Sequence, residues 1–384
     1  MRYDAAVRRA VVVALLVASG GNPARATPWA VNGEAGAEVD TNVQRVETGP
    51  GLDTAPVTSP VMRLGVRADK RDEAFGGNYA LHLADLTRIA GDRGVSVEDV
   101  SLLAGDLRWV HPLGDRPVGA GFAVSAIDAF PLDDDYGART FRNLAADLVI
   151  NAHDGEDYRF ALGFGARQFL YKPPTEPAHL FNWAGPAAQA RLDIMLWQPS
   201  GHTRSLELAT TLGFEARTYD SRAFVNACSP TSPADPSCTA PTDLARRDRA
   251  ARAGVELTYV GRYVASLGYQ LTVIDSNSFG QSFARHRVLA SATTSIGKNY
   301  LSLLAILQID QYLDGLLVQA DLVHQEFTNI EDENRSSAQL HLARKLTDEW
   351  TIEGRVAYWR NILGNTMDLA FSRAVVYAGV TYSK

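Results

Sequence analysis

Between Ala188 and Leu196 the even positions are Ala188, Ala190, Leu192, Ile194 and Leu196, and Gln189, Arg191, Asp193 and Met195 stand between them. After Pro199–Thr203 the rhythm resumes. Leu206, Leu208, Thr210, Leu212, Phe214 and Ala216 alternate with Glu207, Ala209, Thr211, Gly213, Glu215 and Arg217. A period of two is the repeat of a pleated strand with one apolar and one polar face. On a helix the same charges would be scattered around the cylinder. The two segments therefore predict a hairpin whose strands, about 11–13 residues each, are roughly twice the usual length in a soluble sheet. Strands of that length, with a short turn at one end and a long loop at the other, predict an all-β, antiparallel up-and-down transmembrane β-barrel.

The same alternation recurs along the chain. Strands are expected at Trp29–Asn42, Val61–Ala68, Tyr79–Arg88, Val100–Val110, Val118–Phe130, Phe141–Asn151 and Tyr158–Tyr171. Beyond the first hairpin they follow at Ala251–Tyr259, Tyr263–Asp275, Phe283–Ile296, Tyr300–Asp310, Ser336–Leu346, Trp350–Arg360 and Phe371–Tyr382. Lys70–Gly77 reads as a turn and Asp220–Arg249 as the longest loop. Leu316–Phe327 is ambiguous. Single-chain bacterial barrels have even strand numbers with both termini on the periplasmic side, and the parity closes only if Gln311–Asn334 is an external connection. The expected count is about 16 strands, with 14 or 18 as alternatives. Connections at 111–116, 153–156, 199–203, 260–262, 297–299 and 347–349 are short, whereas those at 43–60, 172–185, 220–249 and 311–334 are long. This is the loop asymmetry of a spanning barrel.

Met1–Ala26 has the form of a secretory signal. Arg2, Arg8 and Arg9 precede the apolar Ala10–Ala18, and Ala24-Arg25-Ala26 is a small-x-small cleavage site. The expected organisation is a signal peptide over 1–26 and a barrel over 27–384. No later run reaches the ~18 apolar residues of a spanning helix. Formal net charge is −7, with no sustained basic run, so nucleic acid is not an expected partner.

An arginine at mid-depth on the lipid face costs about 2–4 kcal/mol, so the charged phase of each strand is expected to face the lumen. That assigns Asp106, Arg108, Arg159, Arg167, Arg191, Asp193, Glu207, Glu215, Arg217, Arg252, Glu256, Glu353 and Arg355 to the interior. Two readings of this lining stand. It could bias the passage of ions or sugars, or it could be a lumen partly filled by mutually neutralising side chains. Cys228 and Cys238, the only cysteines, lie among Pro230, Pro233 and Pro236. In an exported chain they are expected to form a disulfide, stabilising locally by up to about 3 kcal/mol.

No histidine spacing suggests a metal, and no Gly-x-Ser-x-Gly or phosphate-cradling loop occurs. No cofactor, metal or catalytic residue is therefore expected. Ser282 and His286 share a strand phase near an external end, but four residues along a strand span over about 12 Å, too far for a direct hydrogen bond. Trp29, Trp109, Tyr158, Tyr259, Tyr263, Trp350 and Tyr358 lie toward strand ends, as interfacial girdle residues do.

With these features the sequence resembles bacterial outer-membrane β-barrel proteins. Its last strand, VVYAGVTYSK, is similar to the C-terminal assembly signal of that class: Ala374, Val376, Ala378 and Val380 recur, and Tyr382 is the closing aromatic. Asp40-Thr41-Asn42 and the hairpin HLARKLTDEWTIEGRVAYWRN are similar to barrel domains of the surface lipoprotein assembly modifier family and to barrels of exopolysaccharide secretion. The resemblance implies location in the cell outer membrane and contact with its lipid and with the barrel assembly machinery. It also implies a channel or secretion role for a transported substrate it does not name. A plugged structural or surface-interaction barrel is the alternative, and an outer-membrane hydrolase a third.

Overall fold

The structure, a computed structural model, describes the chain except for residues 1–28, 47, 49–54, 93, 95–98, 115–116, 133–139, 155–156, 172–180, 200–202, 228–238, 314–334 and 362–369. Sixteen strands follow one another: β1 (Ala30–Asp40), β2 (Ser59–Ala74), β3 (Gly77–Ala90), β4 (Val100–Pro112), β5 (Val118–Pro131), β6 (Phe141–Asp154), β7 (Tyr158–Tyr171) and β8 (Trp183–Trp197). The second half holds β9 (Ser205–Asn226), β10 (Thr239–Val260), β11 (Tyr263–Ser276), β12 (Phe283–Ile296), β13 (Asn299–Tyr312), β14 (Ser336–Lys345), β15 (Trp350–Arg360) and β16 (Ser372–Ser383). Each pairs antiparallel with its sequence neighbours, and β1 pairs with β16 from Asn32↔Ser383 to Asp40↔Val375, closing the barrel. The short turns, the start of β1 and the end of β16 share one end, the periplasmic end in the usual orientation, and the longer connections share the other.

Closure is what lets a sheet cross a bilayer, because hydrocarbon offers no partner to an unpaired backbone group. At the seam, the Tyr377 ring on β16 lies over Gly36 of β1 and Gly379 of β16, and a Cβ on either glycine would overlap it. The Arg63 and Arg355 guanidinium groups each sit 5.5 Å from the centre of that ring. The aromatic ring thus spans the two strands that close the barrel, in a slot that only glycine leaves open.

The outer surface carries an apolar band. Leu212, Phe214, Val255, Leu257, Leu303, Leu307, Leu342, Val356 and Val376 all project from the wall with exposed side chains. Tyr158, Tyr263 and Trp350 edge the band at its periplasmic rim, and Trp350 packs on Tyr382 at 5.1 Å between ring centres. No helix of the described residues is long and apolar enough to cross a membrane. The closed barrel and its exposed apolar band are the form in which strands span a membrane.

Three features differ from the expectations. Residues 70–74 are strand, and the hairpin turns on Phe75-Gly76 alone, both at positive φ, the geometry of a two-residue type I′ turn. Most of Asp220–Arg249 is also strand, since β9 and β10 continue pairing to Asn226 and Thr239. At 70–73 both faces are polar, and at 221–225 Ser221, Ala223 and Val225 on one face and Arg222 and Phe224 on the other mix polar and apolar residues, so no clean alternation marks either stretch. Thirdly, not every charged phase points inward. Asp85, Leu103, Asp128 and Arg142 form one register row on the outer wall. There Ser101 donates to Asp85 at 2.8 Å and Arg142 bonds Asp128 at 2.8 Å. Residues 1–26, Cys228 and Cys238, and the ambiguous Leu316–Phe327 lie outside the described residues.

Replacing Gly379 by Ala should force the Tyr377 ring out of its slot. The expected cost is about 1–3 kcal/mol, read as a lower urea midpoint for the refolded barrel, with a smaller effect for Gly33→Ala, where a Cβ meets open space.

Candidate functional site

The lumen gathers the chemistry-bearing side chains. Every second residue of each strand points into it, and all thirteen residues assigned from the sequence fall on that phase. Arg159 bonds Glu207 at 2.8 Å, Arg191 bonds Asp193 at 2.8 Å, and Arg167 bonds Asp147 at 2.7 Å. Glu215 accepts from Arg217 at 2.6 Å and lies 3.5 Å from Arg252. Glu353 meets His341 at 2.8 Å, and Arg355 approaches Glu38 at 3.8 Å. Glu256 lines a cavity of about 240 Å³ with Arg191, Gln270 and Arg287. Asp106 and Arg108 line a larger one of about 580 Å³ with Arg67, His82, Ser125 and Gln189.

The two halves of this interior differ. Toward the loop end, inward side chains are buried and paired. Asp40, fully buried, accepts from Arg373 Nη2 at 2.6 Å and from Arg88 Nη2 at 3.0 Å, and Arg88 also bonds Glu38. Arg285 makes a two-pronged contact with Asp310 at 2.8 and 3.0 Å, and Arg246 holds Asp248 at 2.6 Å. An aromatic ladder lies on the same level, with Phe141 stacked on Phe169 at 5.4 Å. Arg217 lies over Trp183 at 4.6 Å and Arg246 over Tyr219 at 4.1 Å. Stacking of this kind suits guanidinium groups taken out of bulk water. Toward the periplasmic end the lining is exposed, with the Arg159 and Arg191 side chains 61% and 50% accessible. A second cavity of about 710 Å³, lined by Arg71, Glu73, Asn78 and Arg108, opens beside the first.

Sequence reasoning did not single out Arg67, which lay within the expected strand Val61–Ala68, nor Asp69 and Arg71, which fell beyond that strand's expected end. It also missed the seam cluster of Glu38, Asp40, Arg88 and Arg373, whose members are far apart in the chain. Trp183, assigned to a loop, begins β8 and faces inward. Ser282 and His286 do not meet. The Ser282 hydroxyl exchanges bonds with the Ser276 backbone, and His286 points outward onto the Tyr269 hydroxyl at 2.8 Å. Among the described residues no group of histidines, cysteines and carboxylates could hold a metal ion.

No family profile matches the chain. No curated protein matches it. Among solved structures it is similar to a mutant porin of Rh. blastica, with 10% identity and a TM-score of 0.36 over 93% of this chain and 99% of that one. It is similar to a loop-deleted OmpT, an outer membrane protein of Vibrio cholerae, with 11% identity and a TM-score of 0.42 over 94% and 100% of the chains. A bacterial polysaccharide outer membrane secretin aligns at 8% identity and a TM-score of 0.42 over 92% and 98%. The likeness is one of barrel architecture.

Removing one partner of a buried ion pair leaves an uncompensated charge and costs about 3–5 kcal/mol, whereas an exposed pair contributes about 0–1 kcal/mol. Asp40→Ala should therefore lower the unfolding midpoint sharply in urea titrations of refolded protein. Glu207→Ala, whose partner Arg159 is exposed, should leave it nearly unchanged.

Proposed function

We propose that this barrel is an outer-membrane channel for small polar solutes, acting by passage and not by catalysis. The observation that carries the reading is the periplasmic half of the lumen. Its charged side chains stand in open cavities of about 580 and 710 Å³, where a purely structural interior would be packed. Sixteen strands also enclose an interior wide enough for water and solute. The buried collar of ion pairs and aromatic rings at the loop end then sets the narrowest part of the path. That collar favours a second reading, a plugged barrel that presents its outer loops to partners at the cell surface. In either case the apolar band is the contact with membrane lipid, and the last strand is what the assembly machinery would engage.

Refolded protein in a planar bilayer decides between the two. The channel should give discrete conductance steps in potassium chloride, and weakening the collar with Arg373→Ala should enlarge them. A bilayer that stays silent in all salts, for both proteins, overturns the channel reading and leaves the plugged barrel.

A further inference from the structure

Arginine and a carboxylate two residues apart share one face of a strand, and four such pairs in this lumen close on themselves, whereas Glu353 and Arg355 turn to His341 and Glu38 instead. Arg67 reaches Asp69 at 3.0 Å, Arg191 reaches Asp193 at 2.8 Å, Arg217 reaches Glu215 at 2.6 Å and Arg246 reaches Asp248 at 2.6 Å. Asp106 and Arg108 on β4 have the same spacing but stay open. Arg108 turns away and donates to the Asn151 side chain at 2.6 Å. Asp106 has no hydrogen-bonding or ionic partner among the described residues.

The neighbouring carboxylates are already matched. Asp69 is held by Arg67 and by His82 at 2.8 Å. Asp147 is held by Arg167 through two bonds and by Gln189. Arg71, also without an ionic partner among the described residues, lines both neighbouring cavities. The wall therefore offers a carboxylate and guanidinium groups side by side. Two residues along a strand place their Cα atoms about 7 Å apart. An ion of one sign would be attracted by one group and repelled by the other. A molecule carrying both charges would satisfy both: its ammonium on Asp106, and its carboxylate on Arg108 and Arg71, whose planar forks suit bidentate carboxylate binding. The cavity of about 580 Å³ is within the range of small-molecule sites.

We propose that the periplasmic vestibule binds small zwitterions, amino acids or dipeptides, between Asp106 and Arg108. The proposal deepens the channel reading by naming a solute class, but binding is measured without conduction. Titration calorimetry on refolded protein in detergent, with glycylglycine as probe, should give saturable binding. N-acetylglycinamide, of similar size but uncharged at both ends, should not bind. Asp106→Asn and Arg108→Gln should each weaken glycylglycine by about tenfold. The exchanged pair, Asp106→Arg with Arg108→Asp, should restore it, since the two charges are only transposed. Equal binding of both probes, no saturable binding, or unchanged affinity in the two single variants would overturn the proposal. Conductance without glycylglycine binding sinks this inference alone; binding in a silent barrel sinks the channel reading alone.

Discussion

Backbone pairing across β1 and β16 is the contact on which the whole structure depends. A strand left open in hydrocarbon would carry a row of unsatisfied N–H and C=O groups, each costing several kcal/mol. The chain answers with a continuous register from Asn32↔Ser383 to Asp40↔Val375. It reinforces that register in two ways, with the Tyr377 ring set over two glycines and with the Arg373–Asp40–Arg88 contacts at the loop end. Both devices join residues from opposite ends of the sequence, so closure and the arrangement of the inner wall are one event.

Once the cylinder is closed, the period of two divides the side chains between lipid and lumen, and burial then divides the lumen. Near the loop end the guanidinium groups are taken out of water, and they are matched by carboxylates, aromatic faces or both. Near the periplasmic end the same residue types remain hydrated, where an ion pair contributes little stability. The halves differ in solvent access and in the aromatic rings that line the loop end.

The outward row of Asp85, Asp128 and Arg142 shows the limit of assigning charge to the interior by its cost in lipid. Each of these groups has a local partner on the same wall, Ser101 for Asp85 and a mutual bond for Arg142 and Asp128. Pairing lowers the penalty that the single-residue estimate assumes.

The alternation in Ala188–Leu196 and Leu206–Ala216 was enough to establish strand and barrel and to separate the phase of Arg191 and Glu215 from that of the apolar residues, because both environments of a spanning strand are written in adjacent side chains. The strand number followed from parity and loop length. Where strands leave the apolar band, as at 70–74 and 220–226, the division between lipid and lumen no longer orders the side chains and that record vanishes, although Ser221 and Ala223 are buried. Tertiary structure alone decided which charges pair. Asp40 meets Arg373 across nearly the whole chain, whereas Asp106 and Arg108, neighbours with the spacing of four closed pairs, stay apart. Spacing along a strand fixes which side chains share a face, but the wall beside them decides whether they are needed by each other.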